Sequence, residues 1–283
     1  MPEQAPPLTD RAALDRFRDR ALFMAEPAMF LQEDAADEVK ERLTEVNRTF
    51  TAPAVVSPFP QVWHAAFPDA VHVPDADILA LEEGAHDLVI HGMSLHWAND
   101  PVGQLVQCRR ALKPDGLFIG VLFGGQTLQE LRAAMSEAEV KTTGGLSPRV
   151  IPMAEIRDLG ALLQRAGFSL PVADSAARSV TYSSPFHLMA DLRAMGEVNA
   201  LDQRRRTAPP RRLFAEMAQI YAEAYATPDG RIPATFETIF LTGWAPDQSQ
   251  QKPLRPGSAT ARLADALNVD ETPLPDPARP RRD

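Results

Sequence analysis

Apolar positions along the chain follow two rhythms. Ala36, Val39, Leu43 and Val46 fall three or four residues apart and predict one stripe of an amphipathic helix, the second of two polar helices in residues 1–50. On the first, Arg11, Arg16, Arg18 and Arg20 read as a solvated face, the usual role of mixed charge on a helix. From residue 51 the rhythm changes to short apolar runs at 54–56, 71–73, 87–93 and 117–123. Unbroken runs of this kind suit parallel strands covered on both faces. Residues 61–67 predict a short helix between the first two runs. Val102, Leu105, Val106 and Leu112 predict a helix between the last two, stopped by Lys113-Pro114-Asp115-Gly116. Strand, helix, turn and strand make a βαβ unit.

The same reading continues to residue 245. Thr127 followed by Glu130 predicts a capping box opening a helix with Leu128, Leu131, Met135 and Ala138 inward, ended by Gly144-Gly145. Residues 153–166 predict an amphipathic helix closed by Gly167, and 178–183 a strand. Pro185 opens a helix carrying Leu188, Leu192 and Met195, and another follows at 210–226 with Leu213, Met217, Ile220 and Ala224. In 235–244, Phe236, Phe240 and Trp244 share one face of a strand, and Ile239 and Leu241 the other. The fold class expected is α/β, a Rossmann-like doubly wound sheet with a helical insertion at about 185–226. The domains expected are N-terminal helices over 1–50, the α/β domain over 51–245 and a C-terminal extension over 246–283, disordered after about 265.

Composition narrows the function classes. The 283 residues carry 29 basic and 38 acidic side chains, a net charge of −9, which argues against nucleic acid or an anionic membrane as partner. Cys108 is the one cysteine, so neither an internal disulfide nor a cysteine-rich zinc site is available. The six histidines have no metal-ligand spacing, and no metal site is expected. No apolar signal core and no run of about 18 apolar residues is present, so a cytoplasmic location without a membrane span is expected.

Specific motifs go further. His86-Asp-Leu-Val-Ile-His-Gly-Met-Ser-Leu-His-Trp97, Asn99-Asp100-Pro101 and Arg110-Ala-Leu-Lys-Pro-Asp-Gly-Leu-Phe118 resemble the second half of a class I S-adenosylmethionine-dependent methyltransferase. The stretches 123–132, 144–149, 158–168, 191–199, 230–236 and 249–258 resemble one branch of that family, the arginine hydroxylases of respiratory complex I assembly. The carboxyl methyltransferases that act on the malonyl carrier protein in biotin synthesis are more distant relatives. The resemblance runs from about residue 8 to residue 262. It implies S-adenosylmethionine as cofactor and a protein substrate, a complex I subunit, as partner.

One departure is large. The family's first strand leads into a glycine-rich loop, because the backbone must turn sharply and approach the cofactor. Here the place reads Ala54-Val-Val-Ser-Pro-Phe-Pro60, and residues 50–83 hold no glycine. Only 31 positions separate Val56 from Asp87. A strand–helix–strand crossover takes about 30 residues, and the family has two there. One strand–helix unit is therefore expected to be missing.

Cofactor contacts implied by the resemblance are Asp75, His91, Gly92 and Trp97. Asp75 reads equally well as a turn residue after Pro74. His91 reads also as a histidine packed at a strand end, and Trp97 as a packing anchor. His96 shows no carboxylate partner in the sequence, and the catalytic residue stays unknown. Cys108 reads as a small core residue, and Arg149 and Arg165 as surface residues. The motif at 230–236 with 249–258 reads either as a clamp on a substrate or as packing for the last strand, and Lys252 and Arg255 could pair with an acidic partner segment. Three functions are expected in order: a methyltransferase-like enzyme modifying an arginine in complex I assembly, an inactive pseudo-methyltransferase serving as assembly chaperone, and a malonyl-carrier-protein methyltransferase.

Overall fold

A computed structural model describes residues 6–250. Residues up to 247 belong to one compact unit, and the chain from Gln248 is a second unit of which only 248–250 are described. The predicted tail after 265, Lys252, Arg255 and most of the 249–258 motif lie outside the described residues.

The N-terminal helices are α1 (Arg11–Leu22) and α2 (Phe30–Glu45). Then come β1 (Pro53–Val56), α3 (Pro60–Ala66), β2 (Val71–Val73), β3 (His86–Gly92), α4 (Pro101–Ala111) and β4 (Leu112–Phe123). The second half holds α5 (Gln129–Thr143), α6 (Ile156–Arg165), β5 (Ser169–Tyr182), α7 (Pro185–Ala194), α8 (Arg211–Tyr225) and β6 (Ile232–Trp244). Among the described residues the sheet has six strands in the order β2-β1-β3-β4-β6-β5. β1, β2, β3 and β4 are parallel, and β6 runs antiparallel to both β4 and β5. One strand sits outside β1 where the family resemblance implies two, in line with the 31-position spacing.

Strand alternation separates two apolar layers. Leu88, Ile90, Leu117, Ile119, Val121, Phe236 and Phe240 face one layer, with Val39 of α2, Trp63 of α3, Leu131 of α5, Leu188 of α7 and Met217 of α8. Val89, Phe118, Leu122, Ile239 and Leu241 face the other, with Leu105 and Cys108 of α4 and Leu159 and Leu163 of α6. Cys108 is the core residue expected, and burial pushes its thiol pKa up. The insertion between β5 and β6 is α7 and α8, on the first layer.

Several details differ from the pattern reading. The α4 stripe runs through Leu105, Cys108 and Ala111, with Val102 and Val106 only half-buried, and Tyr221 takes the inward place expected of Ala224. β5 starts at Ser169 rather than 178 because it pairs along most of β6, and no residue of its first half is buried, so no inward apolar run marks it in the sequence. The α6 helix starts at Ile156, three residues after Met153.

The capping box does not form. α5 begins after Leu128, which holds φ 54° and makes no side-chain cap. Thr127 Oγ1 instead donates to the carbonyl oxygens of Gly124 and Glu237 and accepts the Glu237 N–H at 2.9 Å. Glu130 accepts from the Thr235 hydroxyl and backbone N–H. Both residues tie α5 to β6, because the start of β6 lies closer than their own helix end.

Candidate functional site

In open α/β sheets ligands bind beyond the carboxyl ends of the parallel strands. Those ends are Val56, Val73, Gly92 and Phe123. Two neighbouring places lie there, with opposite character.

The first lies beyond β1, β2 and β3. After β1, Ser57-Pro58-Phe59 turns the chain into α3, with the Ser57 hydroxyl accepting the Phe59 N–H at 3.2 Å. Phe59 and Trp63 are fully buried. The Trp63 ring lies so close over Gly92 that an added Cβ there would overlap its six-membered ring. Glycine at 92 thus admits the chain's own indole, whose N–H donates to Gln32 Oε1 at 2.9 Å.

Asp75 follows β2 and is 2% exposed. Its Oδ1 accepts from Arg11 Nη2 at 2.7 Å, and its Oδ2 from Arg18 Nη1 at 2.9 Å. Arg11 Nη1 also reaches the Asp75 carbonyl at 2.8 Å. Burial opposes ionisation, but the two guanidinium groups outweigh it and hold the carboxyl below its ordinary range. Arg11 and Arg18 therefore leave the solvated face expected of α1, while Arg16 and Arg20 remain on it. Arg11 and Arg18 lie seven positions apart on the face of α1 that carries buried Leu14, and Arg16 and Arg20 lie on the opposite face, so helical spacing was the signal that could have separated them.

His91 is fully buried, with Nε2 paired to Gln104 Oε1 at 2.8 Å and Nδ1 unpaired. Burial lowers its pKa, so the ring is neutral at pH 7. His96 finds the carboxylate the sequence did not show: Glu197, 101 positions away, with Oε2 at 3.4 Å. The same oxygen accepts the Trp97 indole N–H at 2.7 Å. Burial raises the Glu197 pKa, yet His96, Arg18 and the indole together hold it below the ordinary range. Trp97 is 3% exposed and packs with Leu14, Ile151, Ala200 and Leu201, the anchor role.

The second place is an open cavity of about 340 Å³ beyond β4 and β6, under α5, α7 and α8. Trp97 and Glu197 line it, and Glu197 also feels the charge of Arg18. Phe123, Leu131, Met135, Met189, Leu192 and Phe214 form its apolar wall. Arg149, Arg193, Arg204 and Arg205 line it too. Arg149 is only 14% exposed in its side chain, against the surface role expected, because it pairs with buried Glu139 at 2.6 Å. Burial opposes ionisation of Glu139, but Arg149 and Ser147 hold its carboxyl below the ordinary range, and the 144–149 loop is drawn onto α5. Arg165 is exposed as expected. Phe236, from the 230–236 motif, reaches the cavity, while its neighbour Thr235 is held by Glu130.

Residues 35–120 match a family described as a methyltransferase domain. The arginine-hydroxylase NDUFAF5, mitochondrial, of Danio rerio is 41% identical over 195 residues, 69% of this chain and 60% of the relative. The Homo sapiens protein of the same name is 40% identical over 196 residues, 69% and 56%. The malonyl-[acyl-carrier protein] O-methyltransferase of Halorhodospira halophila is 34% identical over 178 residues, 63% and 58%. The chain spans less than two thirds of the length of each of these relatives.

S-adenosylmethionine, which the methyltransferase family implies, does not fit the residues present. Both carboxylate oxygens of Asp75 are occupied by arginines, Trp63 covers Gly92, and the β1 turn has prolines where backbone N–H donors and close approach are needed. Among the described residues no group of three or more His, Cys, Asp or Glu could hold a metal ion, and no helix is long and apolar enough to cross a membrane. With a methyltransferase-domain match over residues 35–120 and relatives at about 40% identity, the chain is similar to the NDUFAF5 arginine-hydroxylases over about two thirds of its length.

Proposed function

We propose that this protein engages a protein subunit during assembly of respiratory complex I, at the cavity beyond β4 and β6, and that it does so without S-adenosylmethionine. The observation that carries the proposal is the filled place beyond β1–β3, where Trp63, Arg11 and Arg18 stand in for a nucleoside. A carboxyl methyltransferase of the biotin pathway needs a methyl donor there, so the filling argues against that reading. Arginine hydroxylation, named for the more similar relatives, adds oxygen and transfers no methyl group. Modification of a subunit arginine is therefore the activity proposed: one atom of dioxygen enters a C–H bond of the arginine to give C–OH, and the other leaves as water with two protons and two electrons from an external reductant. The same filling favours a second reading, a scaffold that holds the subunit without turnover.

Deleting the gene tests this. Assembled complex I should fall, growth should not need added biotin, and the subunit peptide should lose the mass of one oxygen at its arginine. Unchanged peptide mass with reduced complex I selects the scaffold. Biotin-dependent growth with normal complex I would sink the proposal. For the purified protein, ligand at 100 times its dissociation constant stabilises by about 2.7 kcal/mol. Millimolar S-adenosylmethionine should give no melting shift.

A further inference from the structure

We infer that the cavity selects an acidic protein segment, one whose apolar side chain enters between α5, α7 and α8 while neighbouring carboxylates pair with Arg193 and Arg205. This rests on the proposed function and names the kind of segment that its site takes.

The cavity, about 340 Å³, is in the size range of ligand pockets. Met135, Met153 and Met189 contribute to its lining, and methionines adapt to irregular apolar shapes. The charges at its edge are unequal. Arg149 is paired with Glu139, and Arg204 with Asp10 at 2.8 Å. Arg206, close by, reaches Asp10 and Asp202. Arg193, in the last turn of α7, has no side-chain partner among the described residues. Among the described residues Arg205, on the α7–α8 connection, gives one hydrogen bond, from Nε to Thr207 Oγ1, and meets no acid. Both are exposed. Glu197 is the one acid in the lining: its Oε2 is taken by Trp97 and faces His96, and its Oε1 is buried without a partner among the described residues.

Two uncommitted guanidinium groups thus border an apolar cavity in a chain of net charge −9. Guanidinium matches carboxylate two bonds at a time, so such a rim recognises carboxylates rather than merely attracting anions. The two arginines sit on different elements, which suits two carboxylates spaced along a segment better than the single head of a fatty anion. Arg205 also borders a second groove of about 480 Å³ with Leu146, Pro210 and Arg212, where Leu146 is 68% exposed. Two grooves joined at one arginine fit an extended chain.

The test uses the full chain and labelled peptides in which leucine and phenylalanine alternate with aspartate and glutamate, against the same peptides with asparagine and glutamine. Binding by anisotropy should weaken about tenfold or more for the amide peptides, the loss of one or two charge-assisted bonds. Arg193→Glu with Arg205→Glu should abolish the preference, melt as wild type does, and bind lysine-bearing peptides instead. Equal binding of acidic and amide peptides, or an unchanged preference in the double variant, overturns the inference. So does displacement of the acidic peptide by decanoate at equal concentration, which would mark a fatty-anion site. A deletion strain with normal complex I, beside intact acid selection, would remove the proposed function and leave this inference standing. Lost selection beside a complex I defect would do the reverse.

Discussion

The two places at the strand ends share one sheet, yet they differ in where their polar groups find partners. Beyond β1–β3 the partners are internal: Asp75 meets Arg11 and Arg18, and the Trp63 indole meets Gln32. Beyond β4 and β6, Arg193 and Arg205 meet no acid among the described residues, and an apolar wall stays open. A fold can mark where a ligand would sit, but the residues decide whether the place is still free. Internal satisfaction makes such a place part of the core, and unspent charge beside apolar surface keeps a place available.

Changes in the filled place should therefore act on stability, and the largest effect is expected at Trp63. Trp63→Ala removes a fully buried indole and should cost about 3–5 kcal/mol in urea unfolding. It should gain no affinity for S-adenosylmethionine, because the arginines on Asp75 and the prolines of the β1 turn remain. Calorimetric binding of the cofactor to this variant would break the comparison.

Asp75→Asn should come next. It leaves Arg18 buried without its counter-charge, which costs about 3–5 kcal/mol for a well-buried pair, with the exposed part of Arg11 bringing the figure toward the low end. The folded-state pKa of Asp75 lies below the ordinary 3.8, so its stabilisation is complete above that value and is lost as pH falls through the lower one. The gap between wild type and variant should be full at neutral pH and should close below about 3.8, as unfolding curves at several pH values would show. A gap independent of pH would mean that the arginines do not read the charge of Asp75.

Thr127→Val should cost about 1 kcal/mol, since the half-buried Glu237 N–H loses its acceptor. Hydrogen exchange at Glu237 should rise with it. The smallest change is expected at the open cavity: Arg193→Ala and Arg205→Ala should each leave the melting free energy within about 0.5 kcal/mol. A large loss at either would show a structural arginine and erase the contrast between the two places.

Much of the fold was legible because it follows from local periodicity. Phe236, Phe240 and Trp244 alternate with Ile239 and Leu241, and that alternation alone assigned β6 and its two faces. The 31-position interval between Val56 and Asp87 was enough to foresee a shortened sheet, since chain length bounds what can be crossed. The absent glycines after β1 announced an altered cofactor place. The candidate site was legible only as a set of names. Asp75, His91, Gly92 and Trp97 do gather at the strand ends, but nothing in their neighbourhood along the chain revealed what occupies them.

Those occupants come from far away. Arg18 reaches Asp75 across 57 positions, Trp63 meets Gln32 across 31, and Trp97 meets Glu197 across 100. Thr127 and Glu130 carry the signature of a cap, yet both bond to β6 because it is packed against them. Periodicity and spacing are properties of neighbours in sequence, so they specify elements, faces and the length of a crossover. Whether a buried carboxylate meets a ligand or an arginine of its own chain depends on which distant elements share its surroundings, and that was decided when α1 and α3 packed over the ends of β1, β2 and β3.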